Sequence, residues 1–181
     1  QTLDPAVLPN FGVKGDLAAG PALALGVSES TLLDMTGAFA GILNGGSAVT
    51  PYGLTDLRFL GDNNSLMDAQ GVGIGERIIR EDAARQLTWM MSKVVEEGTG
   101  RRARIDGWQI AGKTGTTNDL KDAWFVGFAP QVATAVWVGF DRPKRIGRSE
   151  TGGRAALPIW VNFMQAALRG KPKLPFVQPA G

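Results

Sequence analysis

The chain has 181 residues, 44% of them hydrophobic, enough for one domain with a real core and too few to require two. Its 19 Lys and Arg against 17 Asp and Glu leave a formal net charge of +2, with basic residues scattered apart from Arg101, Arg102, Arg104 and the Arg142 to Arg148 stretch, so no basic, aromatic-lined nucleic-acid face is expected. With no cysteine and no histidine, disulfides, thiolate metal sites, imidazole catalysis and the usual zinc sites are excluded, and no apolar run approaches the ~20 residues that span a bilayer.

Gln1 to Pro21 is rich in Pro and Gly and has little periodicity. From Ser30 the apolar residues Leu32, Met35, Phe39 and Ile42 recur at helical steps, and Asn44-Gly45-Gly46 supplies a left-handed stop. Val49 to Leu60 reads as a strand or extended connection, followed by a turn at Gly61-Asp62-Asn63-Asn64 and a mobile loop holding Gly71, Gly73 and Gly75. A second helix is expected over about Arg80 to Glu97, with Ala84, Leu87, Met91 and Val94 on one face, a solvated charged face opposite, and Gly98 at its end. Trp108 to Thr116, Ala123 to Ala129 and Val132 to Phe140 read as three strands joined by short connections, hence an antiparallel meander. Pro158 suits the first turn of a last helix with Ile159, Trp160, Phe163, Met164 and Ala167 as its apolar stripe. Lys171 to Gly181 is a Pro-rich tail expected to be disordered, leaving residues 1–170 as the domain. This order of elements indicates an α+β layer structure.

Gly107-Trp108-Gln109-Ile110-Ala111-Gly112-Lys113-Thr114 matches the P-loop pattern letter for letter. A P-loop leaves an apolar strand and opens a helix, whose free amides hold the phosphates. Here Gly98 to Arg104 is no buried strand, Trp108 to Ala111 is itself strand-like, and Gly115 to Asp119 continues into a turn. The alternative is Lys113-Thr114-Gly115 on a strand, the third motif of serine penicillin-binding proteins and β-lactamases. Alternation along such a strand puts Thr114 and Thr116 on one face, able to converge on one ligand, and Lys113 on the other. Gly115 between them lets an extended peptide approach the backbone, or marks a bulge.

Gly112 to Thr117, Lys121-Asp122-Ala123-Trp124-Phe125 and Val136 to Asp141, in that order, resemble bifunctional (class A) penicillin-binding proteins. The resemblance extends to Leu23-Ala24-Leu25-Gly26, Asn44-Gly45-Gly46, Gly98-Thr99-Gly100 and Ala156-Leu157-Pro158-Ile159-Trp160, covering roughly Ala22 to Leu168. It implies the carboxy-terminal portion of a β-lactamase/transpeptidase-like domain, an antiparallel sheet flanked by helices and incomplete in this chain. It also implies a D,D-transpeptidase acting on peptidoglycan stem peptides and acylated by β-lactams, without metal or organic cofactor. The Thr114 and Thr116 hydroxyls would hold the terminal carboxylate, Lys113 would supply positive field, and the Thr116 amide would be one oxyanion donor. Asp122, Trp124 and Trp137 also match, but read as turn and core residues. Arg101 and Arg102 read as solvated or as attracting an anionic substrate.

The chemistry needs a serine three residues before a lysine, and Ser28, Ser30, Ser47, Ser65, Ser92 and Ser149 all fail that test and the Ser-x-Asn test. The expectation is a truncated chain, inactive alone, whose complementary amino-terminal segment carries both motifs. That segment's absence should leave an exposed apolar face or an unfilled groove. The resemblance places the parent on the outer face of the bacterial cytoplasmic membrane, anchored through a segment not present here. A catalytically silent fragment or binding module, a D,D-carboxypeptidase or β-lactamase relative and a P-loop nucleotide-binding protein are the alternatives.

Overall fold

The computed structural model describes residues 7–13, 30–68, 73–117 and 119–179. The Leu23 to Gly26 segment, Gly71 and Asn118 lie outside them. In chain order the described elements are α1 (Val7–Asn10), α2 (Leu32–Leu43), β1 (Ser47–Val49), β2 (Asp56–Arg58), β3 (Ser65–Asp68), β4 (Ile74–Arg77), α3 (Glu81–Glu96), β5 (Ala111–Thr116), β6 (Ala123–Ala129), β7 (Val132–Val138) and α4 (Leu157–Ala167).

The centre is an antiparallel sheet in the order β5-β6-β7, the meander expected from the short connections. Its register runs unbroken from Ala111↔Phe128 to Thr116↔Ala123 and from Ala123↔Val138 to Ala129↔Val132. Both outer strands are shorter than the sequence suggests. The chain turns at Gly107 (φ 77°), and the Trp108 amide donates to Ile105 O, so pairing starts only at Ala111.

Each sheet face carries its own core. On one, Phe125 packs edge-on against Trp160 of α4 at 5.0 Å, and Leu157, Met164, Leu168, Val95 and Ile110 complete the cluster. The Trp160 indole donates to Thr134 O at 2.9 Å, so its one polar atom is satisfied although the residue is fully buried. On the other, Phe128 meets Phe176 edge-on at 5.6 Å beside Met91 and Ala111, with Phe39, Ile42, Leu43 and Leu87 packed around them. Burying each such side chain contributes about 1.5–3 kcal/mol.

The position of Phe176 corrects the expectation of a disordered tail. It is 8% exposed, and its amide donates to Gln109 Oε1 at 2.6 Å. Proline fixes backbone φ, which lets an irregular segment lie in a set path against a core at small entropic cost. The α4 stripe is corrected too. Leu157, Trp160, Met164 and Leu168 face inward, whereas Ile159 and Phe163 are 52% and 53% exposed.

α2 begins where the Thr31 hydroxyl accepts the Asp34 amide, and ends at Gly45 and Gly46, both at positive φ as expected. Its buried residues are the small ones, Gly37, Ala38 and Gly41, while Leu32 and Leu33 stay exposed. A methyl group at Gly41 would lie 2.5 Å from Ser47 O, so β1 is able to run close to the helix. On α3 the buried face is Ala84, Thr88, Met91 and Val95, with Val94 only half-buried.

The segment read as one strand and a mobile loop is instead two ribbons, β1 with β4 and β2 with β3. Gly73 and Gly75 belong to the β1–β4 pairing, where the Thr50 amide donates to Gly73 O at 2.7 Å. Strands of three or four residues carry too little alternation to be seen locally, and the partner of β4 lies some thirty positions upstream.

Candidate active site

Lys113-Thr114-Gly115-Thr116 forms the last four residues of β5, an edge strand among the described residues. No helix follows Thr114, since the strand runs on to Thr116 and into a turn. The P-loop reading fails on that geometry, because a phosphate would meet no helix N-terminus there.

The two threonines lie on one face, as alternation requires, and each hydroxyl has a protein partner. Thr114 Oγ1 lies 3.0 Å from Thr99 Oγ1, and Thr116 Oγ1 accepts the Gly152 amide at 3.0 Å. Both partners belong to segments that reach the strand through glycines. Thr99 sits between Gly98 and Gly100, whose amides both donate to Val94 O at 3.0 Å at the end of α3. Gly152 opens a π-helical turn, Gly152–Ala156, that leads directly into α4. A methyl group at Gly152 would overlap Trp124 O and come within 2.5 Å of Gly115 O, so only glycine fits against the sheet there.

Lys113 is exposed, and its ammonium donates to Thr114 O at 2.8 Å. Its cross-strand neighbour is Val126, and no carboxylate pairs with it in an ion pair among the described residues. Gly115 faces Trp124, where a Cβ would stand 3.2 Å from the tryptophan Cβ. Pairing across β5–β6 stays in register at Gly115, so it marks no bulge.

The β5–β6 connection is tied by Thr117, whose hydroxyl accepts the Lys121 and Asp122 amides at 2.9 and 3.0 Å. Lys121 pairs with Asp119 at 2.9 Å, and that ammonium, by hydrogen bond and charge, holds the Asp119 carboxyl below its ordinary value. Asp122 accepts the Trp137 indole N–H at 2.8 Å, and Trp137 leans toward Trp124 with ring centroids 6.4 Å apart. These three residues therefore shape the turn and its packing.

Arg101 and Arg104 occupy the carbonyl end of α3. Arg101 Nε donates to Glu97 O at 2.9 Å, and Arg104 donates to Val95 O and Glu96 O at 3.3 and 2.6 Å. They neutralise the negative helix end, while Arg102 projects into solvent. A cavity of about 430 Å³ lies elsewhere, between α3, residues 104–110 and residues 176–179, and none of Lys113 to Thr116 lines it.

Residue-type reasoning found the strand and missed its supports. Thr99 and Gly152 are far from Lys113 in the chain, and the only local sign of either is a Gly-Thr-Gly and a Gly-Gly.

Among known proteins, the family model for the penicillin binding protein transpeptidase domain matches residues 8–165. Penicillin-binding protein 1A of Neisseria lactamica is 41% identical over 176 residues, covering 94% of this chain and 22% of that protein. The chain thus spans about a fifth of the length of that relative. The crystal structure of penicillin-binding protein 1A from Haemophilus influenzae superposes with a TM-score of 0.82 at 29% identity, over 95% of this chain and 31% of that one. Penicillin-binding protein A from M. tuberculosis, solved as an imipenem acyl-enzyme complex, superposes with a TM-score of 0.68 at 25% identity, over 91% of this chain and 42% of that one. An edge strand bearing Lys-Thr-Gly-Thr, the meander behind it and the match over residues 8–165 agree: the chain belongs to the transpeptidase domain family of penicillin-binding proteins.

Proposed function

We propose that this chain forms the substrate-binding wall of a serine D,D-transpeptidase that cross-links peptidoglycan stem peptides and is acylated by penicillins. The observation that carries the reading is that Thr114 and Thr116 share one face of an edge strand, each hydroxyl held by a protein partner, with Lys113 exposed on the same strand. An edge strand offers unpaired backbone groups to an extended peptide, which adds as a further strand. Two hydroxyls on one face suit the terminal carboxylate of that peptide, or the carboxylate of a β-lactam, and Lys113 adds positive field.

No serine in this sequence stands three residues before a lysine, so the nucleophile and its activating lysine come from chain outside these 181 residues. That serine oxygen attacks the carbonyl carbon of the penultimate D-alanine and forms an ester. The peptide C–N bond breaks, and terminal D-alanine departs with the serine's proton on its amine. A neighbouring stem's amine then attacks the ester, forms the cross-link and returns a proton to the serine. In a penicillin the ring amide bond opens instead, and the acyl group stays on the serine. Thr116 N–H serves as one oxyanion donor, a contribution of about 2.7–4 kcal/mol where such a donor is removed. The imipenem acyl-enzyme of the M. tuberculosis relative supports the β-lactam part of this reading. The activity belongs at the outer face of the cytoplasmic membrane, with the anchor in chain outside this segment. No helix among the described residues is long and apolar enough to cross a membrane.

The test is covalent labelling by a fluorescent penicillin, applied to the full-length protein that carries this segment and to this chain alone. Label is expected on the full-length protein, with none on the isolated chain, and with Thr114→Val and Thr116→Val both labelling more slowly. Label on the isolated chain, or full-speed labelling of both variants, overturns the reading.

A further inference from the structure

The Gly98-Thr99-Gly100 bend plays no part in the function described so far, yet it delivers a hydroxyl to Thr114. Its geometry is dictated by glycine at both flanks. A Cβ at Gly98 would stand 2.9 Å from Val94 Cα and O, and one at Gly100 would stand 3.2 Å from Val94 O. The chain therefore folds tightly over the last turn of α3 and brings Thr99 Oγ1 to 3.0 Å from Thr114 Oγ1.

A hydroxyl has one proton and two lone pairs, a carboxylate has lone pairs only, and a backbone amide only donates. At Thr116 the direction is settled. Gly152 N–H donates into Oγ1, and the threonine's own proton is left to point at a ligand. At Thr114 a bound carboxylate imposes the same order, because Thr114 must give its proton to the anion and Thr99 must then give its proton to Thr114. Hydrogen bonds chained in this way polarise one another, most strongly when they end on a charge.

We infer that Thr99 is a positioning residue for the carboxylate subsite, donating into Thr114 as the Gly152 amide donates into Thr116; this rests on the reading of Thr114 as a carboxylate ligand given above. Thr99 touches no reacting atom. It fixes which way Thr114's proton points, so its effect is confined to substrates that carry the anion.

The experiment uses the full-length transpeptidase carrying this segment and measures the second-order acylation rate with benzylpenicillin and with its primary amide, for Thr99→Val, Thr99→Ser and Thr114→Val. Removing a hydrogen bond that supports a charged acceptor should lower the carboxylate-to-amide rate ratio about tenfold in Thr99→Val, whereas Thr99→Ser, which keeps the hydroxyl, should hold it within about twofold. An unchanged ratio in Thr99→Val, or equal slowing of both compounds, overturns the assignment. Thr114→Val separates the two levels. If it collapses the ratio while Thr99→Val does not, only the Thr99 assignment falls. If Thr114→Val leaves the ratio unchanged, the carboxylate reading falls and takes this inference with it.

Discussion

The amide of Gly152 donates to the hydroxyl oxygen of Thr116 across 3.0 Å, joining the turn that leads into α4 to the end of the Lys-Thr-Gly-Thr strand. That contact exists because Gly152 has no side chain to hold it off the sheet. Gly152→Ala should therefore force the turn outward and cost about 1–3 kcal/mol, the usual penalty for overpacking. Gly153→Ala is the control, since its Cβ would find Thr99 O at an ordinary 3.6 Å. It should change stability by no more than about 0.5 kcal/mol. Thermal melts of the two variants decide the matter, and equal midpoints would contradict the steric argument.

Asp122 anchors the Trp137 indole at 2.8 Å, and both residues are half-buried. Asp122→Ala leaves the indole N–H without its acceptor at a loss of about 1–3 kcal/mol, while Asp122→Asn keeps an acceptor and should lose less. Denaturant midpoints give the costs. Near-ultraviolet circular dichroism reports whether Trp137 and Trp124 keep their tilted packing.

Phe176→Ala should destabilise the protein by about 3–5 kcal/mol despite its place in a Pro-rich terminus, because the edge-on contact with Phe128 closes one face of the sheet. Limited proteolysis would show new cleavage on the residue 171–179 side first. A variant as stable and as resistant as the parent would return the tail to the status of a free end.

Asp56 is held below the ordinary carboxylate value of 3.8 chiefly by the Ser65 hydroxyl, with Arg58 assisting. The Ser65 oxygen is 2.6 Å from the carboxylate and 2.7 Å from Met67 O, and its single proton favours the charged acceptor. Because the folded-state value is lowered, the β2–β3 ribbon gains its full stabilisation above the ordinary value and loses it as pH falls through the lowered one. Ser65→Ala should move the Asp56 titration, followed by NMR, upward toward 3.8. A titration that does not move would assign the shift to Arg58 and the Leu57 amide instead.

The meander, the helix spans and the Lys113 to Thr116 motif are legible in the sequence because each depends on near neighbours. Short connections force antiparallel pairing, two-residue alternation sorts the threonines from the lysine, and the glycines at 45 and 46 stop α2 by backbone conformation alone. Periodicity also marks α4 as amphipathic, but cannot say that Ile159 and Phe163 fall on its outer side, since the inner side is set by where Phe125 stands on β6. The β1–β4 ribbon, the anchoring of Phe176 and the meeting of Thr99 and Gly152 with Thr114 and Thr116 were decided only by tertiary structure. Each joins residues distant along the chain, and no local pattern encodes which distant backbone or hydroxyl will be brought within 3 Å. The residue types that could act are written in the sequence; which distant partners meet their hydroxyls is fixed by the fold.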